Sequence, residues 1–147
     1  LVYSNDVIGN QSNKIDFTDK NLTNVYTSRT FCLFEDIKKI KKIGLAKGGS
    51  LDNAIVVRDN KILNSDGLRN NKEFVNHKIL DLAGDFLLSG YRILGSVKCM
   101  QGGHSLSNLF LRNIFKDQLN FTVIEQEKSV SSKNYFKTPI NKLAVNA

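Results

Sequence analysis

The amino-acid sequence predicts an α+β domain, a mostly antiparallel sheet packed on two principal helices. Three observations lead there. Short runs such as NKIDFT at 13–18 alternate apolar and polar residues, the period of a half-buried strand. Two longer segments, from about Lys72 to Ser89 and from about Gly103 to Asp117, carry helical spacing. No internal repeat or low-complexity block interrupts their order.

The elements follow one another along the chain. After the strand at 13–18, VYTSRTF at 25–31 is a second β-leaning run. In FEDIKKIKKIGLAKGGS the residues Phe34, Ile37, Ile40 and Ile43 recur every three, with Lys38, Lys39, Lys41 and Lys42 between them. That pattern is an amphipathic helix, with Gly44 to stop it. Its apolar face is expected in a core. AIVVRDNKILN at 54–64 reads as two short strands joined at Asp59 and Asn60, although no Gly supports the turn. The long helix then ends at Gly90, a C-cap residue. YRILGSVKCM at 91–100 is a strand candidate, GGHSLSNLFLRNIFKD opens the second helix after two glycines, and LNFTVIEQ at 119–126 makes a last strand. From Glu127 the chain is polar and closes on YFKTPINKLAVNA.

Length and composition bound the rest. The 147 residues suit one domain, and 41% apolar with 24% charged residues is globular. Lys and Arg number 21 against 14 acidic residues, a net charge of +7 that favours phosphates, nucleic acid or a membrane surface. Only two cysteines occur, Cys32 and Cys99, so neither a disulfide framework nor a thiolate metal site is expected, and a reducing compartment fits. No apolar run reaches the roughly 18 residues of a membrane span, and the start LVYSNDVIGN has no cleavable leader, so a cytosolic chain is expected. Its first residue is Leu, as in a processed or truncated piece of a longer protein.

The chemistry concentrates on FVNHKILDLAGD, where His77, Asp81 and Asp85 stand four apart. Helical residues at that spacing have Cβ atoms about 5–6 Å apart, so His77 and Asp81 can aim at one atom. Imidazole nitrogen and carboxylate oxygen are common zinc ligands, three of which hold a catalytic ion. The bland alternative is a solvated helix pair. Like charges at this spacing repel, so Asp81 and Asp85 each need a cation, a metal for the first and a protonated His104 for the second. A carboxylate neighbour favours imidazolium, which can donate a proton, whereas the helix start at His104 disfavours it. Thr30, beside Arg29, could offer a hydroxyl to a developing oxyanion, or be an ordinary strand residue. The lysine-rich helix is either a solvated basic face or an apolar and basic surface suited to a lipid-like ligand or membrane interface. GLAKGGS lacks the order of a phosphate-binding P-loop.

Taken together, SRTF, GLAKGGSLDNAIVV, LNSDGLRNNKEFVNHKILDLAGD and GGHSLSNLFLR resemble the second half of the UDP-3-O-acyl-N-acetylglucosamine deacetylases, zinc hydrolases of lipid A synthesis in Gram-negative bacteria. The resemblance implies two similar halves that sandwich their helices between two sheets, of which residues 1–126 are one and 127–147 a C-terminal tail. It implies a small βαβ insertion from Phe31 to about Val57, with Phe31, Ile37, Ala46 and Ala54 lining the passage for an acyl chain. His77 and Asp81 match two zinc ligands, with the third, a histidine, and the base, a glutamate, in the other half. His104 matches the histidine that assists departure of the amine, Asp85 its carboxylate partner, Thr30 the oxyanion threonine, and Lys78 a residue near the substrate's phosphates. Zn²⁺ is the implied cofactor. The implied partners are a UDP-linked acylated glucosamine and the missing N-terminal half, with peripheral inner-membrane contact and no nucleic acid. The isolated chain is then expected to be inactive and cytoplasmic. A basic binding module and a non-catalytic paralogue are the competing readings. Two departures stand out: Gln101 where a basic residue is usual, and TFCL in place of TFGF.

Overall fold

In the computed structural model, which describes residues 1–125, the order is α1 (Thr23–Tyr26), β1 (Thr30–Leu33), α2 (Ile37–Lys42), β2 (Ala54–Arg58), β3 (Lys61–Ile62), α3 (Glu73–Leu87) and α4 (His104–Phe115). Short 3₁₀ turns at Phe34–Asp36 and Gln118–Asn120 precede α2 and follow α4.

The α+β class holds, but the sheet is mixed rather than mostly antiparallel. β1 and β2 run parallel with Thr30 opposite Ala54 and Phe31 opposite Ile55, and β3 returns antiparallel with Val57 opposite Ile62. A parallel pair needs a crossover, which α2 and its flanking loops supply, so β1, α2 and β2 follow one another as a βαβ unit. The hairpin turn is made by Asp59 at φ 49°, a left-handed conformation that Asp tolerates through its short polar side chain. Beyond β3, the Asn64 side chain extends the edge of β2. Its Oδ1 accepts from Val56 N at 3.0 Å and its Nδ2 donates to Ala54 O at 2.8 Å.

The other expected strands do not form among the described residues, for local reasons. At 13–18, Asp16 Oδ1 accepts from both the backbone N and the hydroxyl of Thr18, a turn that competes with a ladder. In 25–31 the Thr27 hydroxyl donates back to Thr23 O at 2.8 Å, closing a helical turn before β1 begins at Thr30. The run 91–100 pairs with no strand among the described residues and leaves Tyr91, Leu94 and Val97 exposed. A strand without a partner or a covered face is not stable alone. At 119–125, Asp117 Oδ1 instead accepts from Leu119 N at 2.9 Å and caps the 3₁₀ turn. Residue 126 and the tail 127–147 lie outside the described residues.

The core forms where α3 meets the sheet. Ile55 and Val57 of β2, Phe74 of α3 and Ile8 of the N-terminal segment are fully buried, flanked by Phe31, Leu33, Ile62 and Leu68. Phe31 meets Phe74 edge-on, with ring centroids 5.0 Å apart. Further along α3, Phe86 stacks on Phe110 of α4 at 5.6 Å. The helix ends at Gly90, whose N–H donates to Leu87 O at 3.0 Å and whose φ of 77° turns the following chain out of the helical path. Against expectation, α2 contributes no fully buried residue: Ile37 and Ile40 are half-buried and Ile43 is 70% exposed, so its apolar side is only partly covered.

Candidate active site

Three elements place the site: the end of the loop entering β1, the middle of α3, and the first residue of α4. The loop is fixed from behind by a buried ionic cluster. Glu73, the first residue of α3 and completely buried, accepts from Arg29 N at 3.0 Å and Arg29 Nε at 2.9 Å through one oxygen. Its other oxygen accepts from Arg69 N at 2.6 Å. Arg29 also reaches Asp66 at 2.9 Å and Gly67 O at 2.6 Å, so both charges are paired and hydrogen-bonded. Burial pushes the Glu73 carboxyl up, but the hydrogen bonds from Arg29 and Arg69 and the guanidinium charge outweigh it and hold Glu73 below its usual range. The same bonds raise Arg29.

Because Arg29 is held, its neighbour Ser28 presents a backbone carbonyl to α3. His77 Nδ1 lies 3.2 Å from Ser28 O, a carbonyl that can only accept, so Nδ1 is the donor of that bond and the ring's orientation is fixed. His77 Nε2 lies 3.2 Å from Asp81 Oδ1, with the two side chains 16% and 18% exposed. The second oxygen of Asp81 accepts from Lys78 Nζ at 3.3 Å. One turn on, His104 Nδ1 is 2.9 Å and 3.0 Å from the two oxygens of Asp85. Asp85 is 14% exposed and His104 72%. Each carboxylate of the row therefore has its own cationic or imidazole partner, which removes the repulsion that their spacing implies.

Whether His77 and Asp81 suit a zinc ion can be judged from their separation. Two tetrahedral ligands at bonds of about 2.0–2.2 Å are roughly 3.3–3.5 Å apart. The observed 3.2 Å is close to that, and the carbonyl behind Nδ1 is the usual support of a metal-binding imidazole. The donor pair fits the ion. Among the described residues no third His, Cys, Asp or Glu joins it. Cys32, on β1, is no substitute, because burial and the nearby Asp36 push its thiol up and keep it protonated.

The remaining candidates divide. Phe31 lies between Phe74 and Lys78, whose Nζ is 5.8 Å from the ring centroid. Thr30 pairs with Ala54 at the start of the two parallel strands, two residues after the Ser28 carbonyl that holds His77. Ile37 is half-buried at the start of α2, whereas Ala46 sits in the exposed loop at φ 52°, and no hydrogen bond or packing contact ties either to His77. Gln101 has a structural use: its amide donates to Val2 O at 2.8 Å, tying the entry of α4 to the N-terminal segment. A cavity of about 170 Å³ beside the first turn of α3 is lined by Asn13, Asn24, Asn70, Lys72 and Asn76 and includes neither His77 nor Asp81.

Sequence reasoning missed Ser28, Glu73 and Asn76. Ser28 acts through its backbone, which no side-chain pattern reveals. Glu73 reads as an ordinary first-turn acid, and its partner is 44 residues away. Buried Asn76 is held by Asn13 Nδ2 at 2.7 Å and gives its own amide to Asn70 at 3.1 Å, fixing the turn that carries His77.

Two imidazole–carboxylate pairs, His77 with Asp81 along α3 and Asp85 of α3 with His104 of α4, give this α+β domain groups of the types that ligate metals and transfer protons. The chain belongs to the UDP-3-O-acyl N-acetylglycosamine deacetylase family, whose model matches residues 1–116. It is 42% identical over 138 residues to the UDP-3-O-acyl-N-acetylglucosamine deacetylase of Campylobacter jejuni subsp. doylei, covering 93% of this chain and 47% of the relative. The enzyme of the same name from Psychrobacter cryohalolentis is 40% identical over 136 residues, 92% of this chain and 42% of its own length. That of Aliarcobacter butzleri is 34% identical over 142 residues, covering 96% and 47%. The chain thus spans about half the length of the curated relatives it matches.

Proposed function

We propose that this chain is the C-terminal half of a zinc-dependent deacetylase that hydrolyses the acetamide of UDP-3-O-(3-hydroxyacyl)-N-acetylglucosamine in the cytoplasm, on the route to lipid A. The observation that carries the reading is the His77 Nε2 to Asp81 Oδ1 distance of 3.2 Å, with Nδ1 tied to the Ser28 carbonyl. The names of the relatives supply the substrate.

In this reading His77 and Asp81 hold Zn²⁺, which supplies Lewis acidity to the acetamide carbonyl and to a water molecule. Lys78 neutralises the oxygen of Asp81 that faces away from His77 and lies on the approach of the diphosphate. The Thr30 hydroxyl donates to the oxyanion as the carbonyl becomes tetrahedral. With Nδ1 of His104 bound to Asp85, Nε2 is the nitrogen left to protonate the leaving amine as the C–N bond breaks. The half-buried Phe31, Ile37 and Ala54 with Ala46 of the crossover line the acyl passage. The third zinc ligand, a histidine, and a glutamate base come from the N-terminal half, which packs its own helices against α3 and α4 to complete the sandwich.

The test is deacetylation of the UDP-linked substrate by this chain alone and by the chain joined to the first half of a relative such as that of Campylobacter jejuni. Negligible turnover alone and zinc-dependent turnover in the joined protein are expected. Robust activity of the isolated chain would refute the split site, and an inactive joined protein that still folds would point to a non-catalytic paralogue.

A further inference from the structure

Besides Ile37 and Ala46, which the catalytic reading assigns to the acyl passage, the crossover between β1 and β2 carries lysines and apolar side chains that the catalytic reading does not use. From Ile37 to Leu51 the chain holds five lysines, Lys38, Lys39, Lys41, Lys42 and Lys47, and no acidic residue. All five are exposed. Among the described residues the one ion pair they make is Lys39 to Asp36 at 3.4 Å, with side chains 82% and 44% exposed. Lysines three and four apart on α2 repel, and a helix of six residues has little to offset this. A solvated helix face normally mixes both signs of charge. Here one sign is collected, with the exposed Lys39–Asp36 pair as its one counter-charge among the described residues.

Beside the lysines stand apolar side chains that are about half exposed or more: Ile43 is 70% exposed, Leu45 59% and Leu51 47%. Gly44 at φ 80° and Ala46 at φ 52° turn the chain sharply on either side of Leu45, and Leu51 follows on the way back to β2. Basic residues around a short apolar turn match a bilayer with anionic headgroups, where ammonium groups meet phosphates and the apolar side chains enter the acyl boundary. Nucleic acid would use the lysines but leave the apolar side chains idle. It also favours aromatic platforms, and residues 35–53 contain no aromatic side chain.

We propose that the β1–β2 crossover docks this protein peripherally on an anionic lipid bilayer, through Lys38, Lys39, Lys41, Lys42 and Lys47 with Ile43, Leu45 and Leu51 inserted. The contact is peripheral, because no helix among the described residues is long and apolar enough to cross a membrane. The proposal stands on the crossover alone and does not require the deacetylase reading. If both hold, the face that binds the membrane lies in the same βαβ unit as the acyl-lining residues.

Co-sedimentation of the full chain with vesicles of phosphatidylcholine alone, and of phosphatidylcholine mixed with phosphatidylglycerol, tests it. Binding only to the anionic vesicles is expected. A K38Q/K41Q variant, altered at exposed positions, should bind about 25-fold more weakly, near fivefold for each lysine. An I43S/L45S variant should lose most of the binding that survives at high salt. Equal binding to neutral vesicles, or undiminished binding by K38Q/K41Q, would assign the affinity to other apolar surface and overturn the proposal. So would tighter binding to an RNA oligonucleotide that I43S/L45S leaves unchanged, or no vesicle binding by the unaltered chain.

Discussion

Glu73 Oε1 accepts two hydrogen bonds from Arg29, from the backbone N at 3.0 Å and from Nε at 2.9 Å. One carboxylate oxygen thereby fixes both the path of the chain and the direction of the side chain. Since Arg29 lies between Ser28 and Thr30, the pair sets where the carbonyl behind His77 and the Thr30 hydroxyl stand relative to α3. Removing one member of a buried ion pair leaves the other charge uncompensated, at a cost of about 3–5 kcal/mol. Glu73→Ala should lower the unfolding free energy by that amount in urea titration. In folded Glu73→Gln, the ¹⁵N shift of His77 Nδ1 should move as its hydrogen bond to the Ser28 carbonyl loosens. An unmoved His77 signature would reduce the pair to a purely structural element.

Acid should attack the same pair. The Glu73 carboxyl is held below its unfolded value of about 4.5, so the folded state favours the ionised form. A depressed carboxyl contributes stability that is complete above the unfolded value and is lost as pH falls through the lower folded value. Urea midpoints should therefore be steady with respect to this group from neutrality down to about pH 5 and fall below about pH 4. In Glu73→Gln that part of the acid dependence should vanish. An identical acid slope in both proteins would assign it to other carboxylates.

His77 and Asp81 make their contacts within α3 and to Ser28, and neither belongs to the core cluster. His77→Ala and Asp81→Ala should thus leave the circular dichroism of the chain almost unchanged. In the protein joined to a first half, either change should reduce zinc affinity at least tenfold to a hundredfold, as measured by chelator competition. Loss of zinc from a folded variant supports the ligand assignment. Full zinc content in both would remove it.

The core offers a check on the fold itself. Phe74 is fully buried and touches Phe31 edge-on at 5.0 Å, so Phe74→Ala removes a large side chain where α3 meets β2. A loss of about 3–5 kcal/mol in unfolding free energy is expected. Phe34→Ala, at a 36% exposed ring that stacks under Arg58, should cost well under half as much. Reversal of that order would mean that the sheet packs differently.

What the sequence made legible depended on the range of the forces involved. α3 and α4 were readable because helical spacing, Gly90 and the glycines before His104 are local signals. The same locality made His77, Asp81 and Asp85 readable as one face. The hairpin at Asp59 was readable from its two apolar runs, and the βαβ unit came from the family resemblance. The strands at 13–18, 91–100 and 119–126 were not decided locally, since strand propensity is realised only beside a partner and local side-chain bonds by Asp16 and Asp117 competed with it. The exposed Ile43 misled for a related reason: spacing shows that one side of a helix is apolar, but not whether anything covers it. The Arg29–Glu73 pair could not be read at all, because two ordinary charged residues become a buried pair only after the fold joins them.

The Asp85–His104 contact makes the last prediction, and it separates chemistry from stability. His104 is 72% exposed, so its bond to Asp85 has water as a competitor and contributes little to folding. Asp85→Asn replaces a carboxylate that accepts from Nδ1 by an amide that can present its oxygen but no charge, so the His104 ring loses its charged partner while the shape is kept. Unfolding free energy should change by less than about 1 kcal/mol. In the joined protein kcat should fall by about 10²–10⁴, the usual size of a general-acid contribution, with KM nearly constant. Substrates with a better leaving amine should recover much of that loss, because they need less proton donation as the C–N bond breaks. A variant whose KM rises while kcat stays would show instead that His104 and Asp85 bind substrate and do not protonate it.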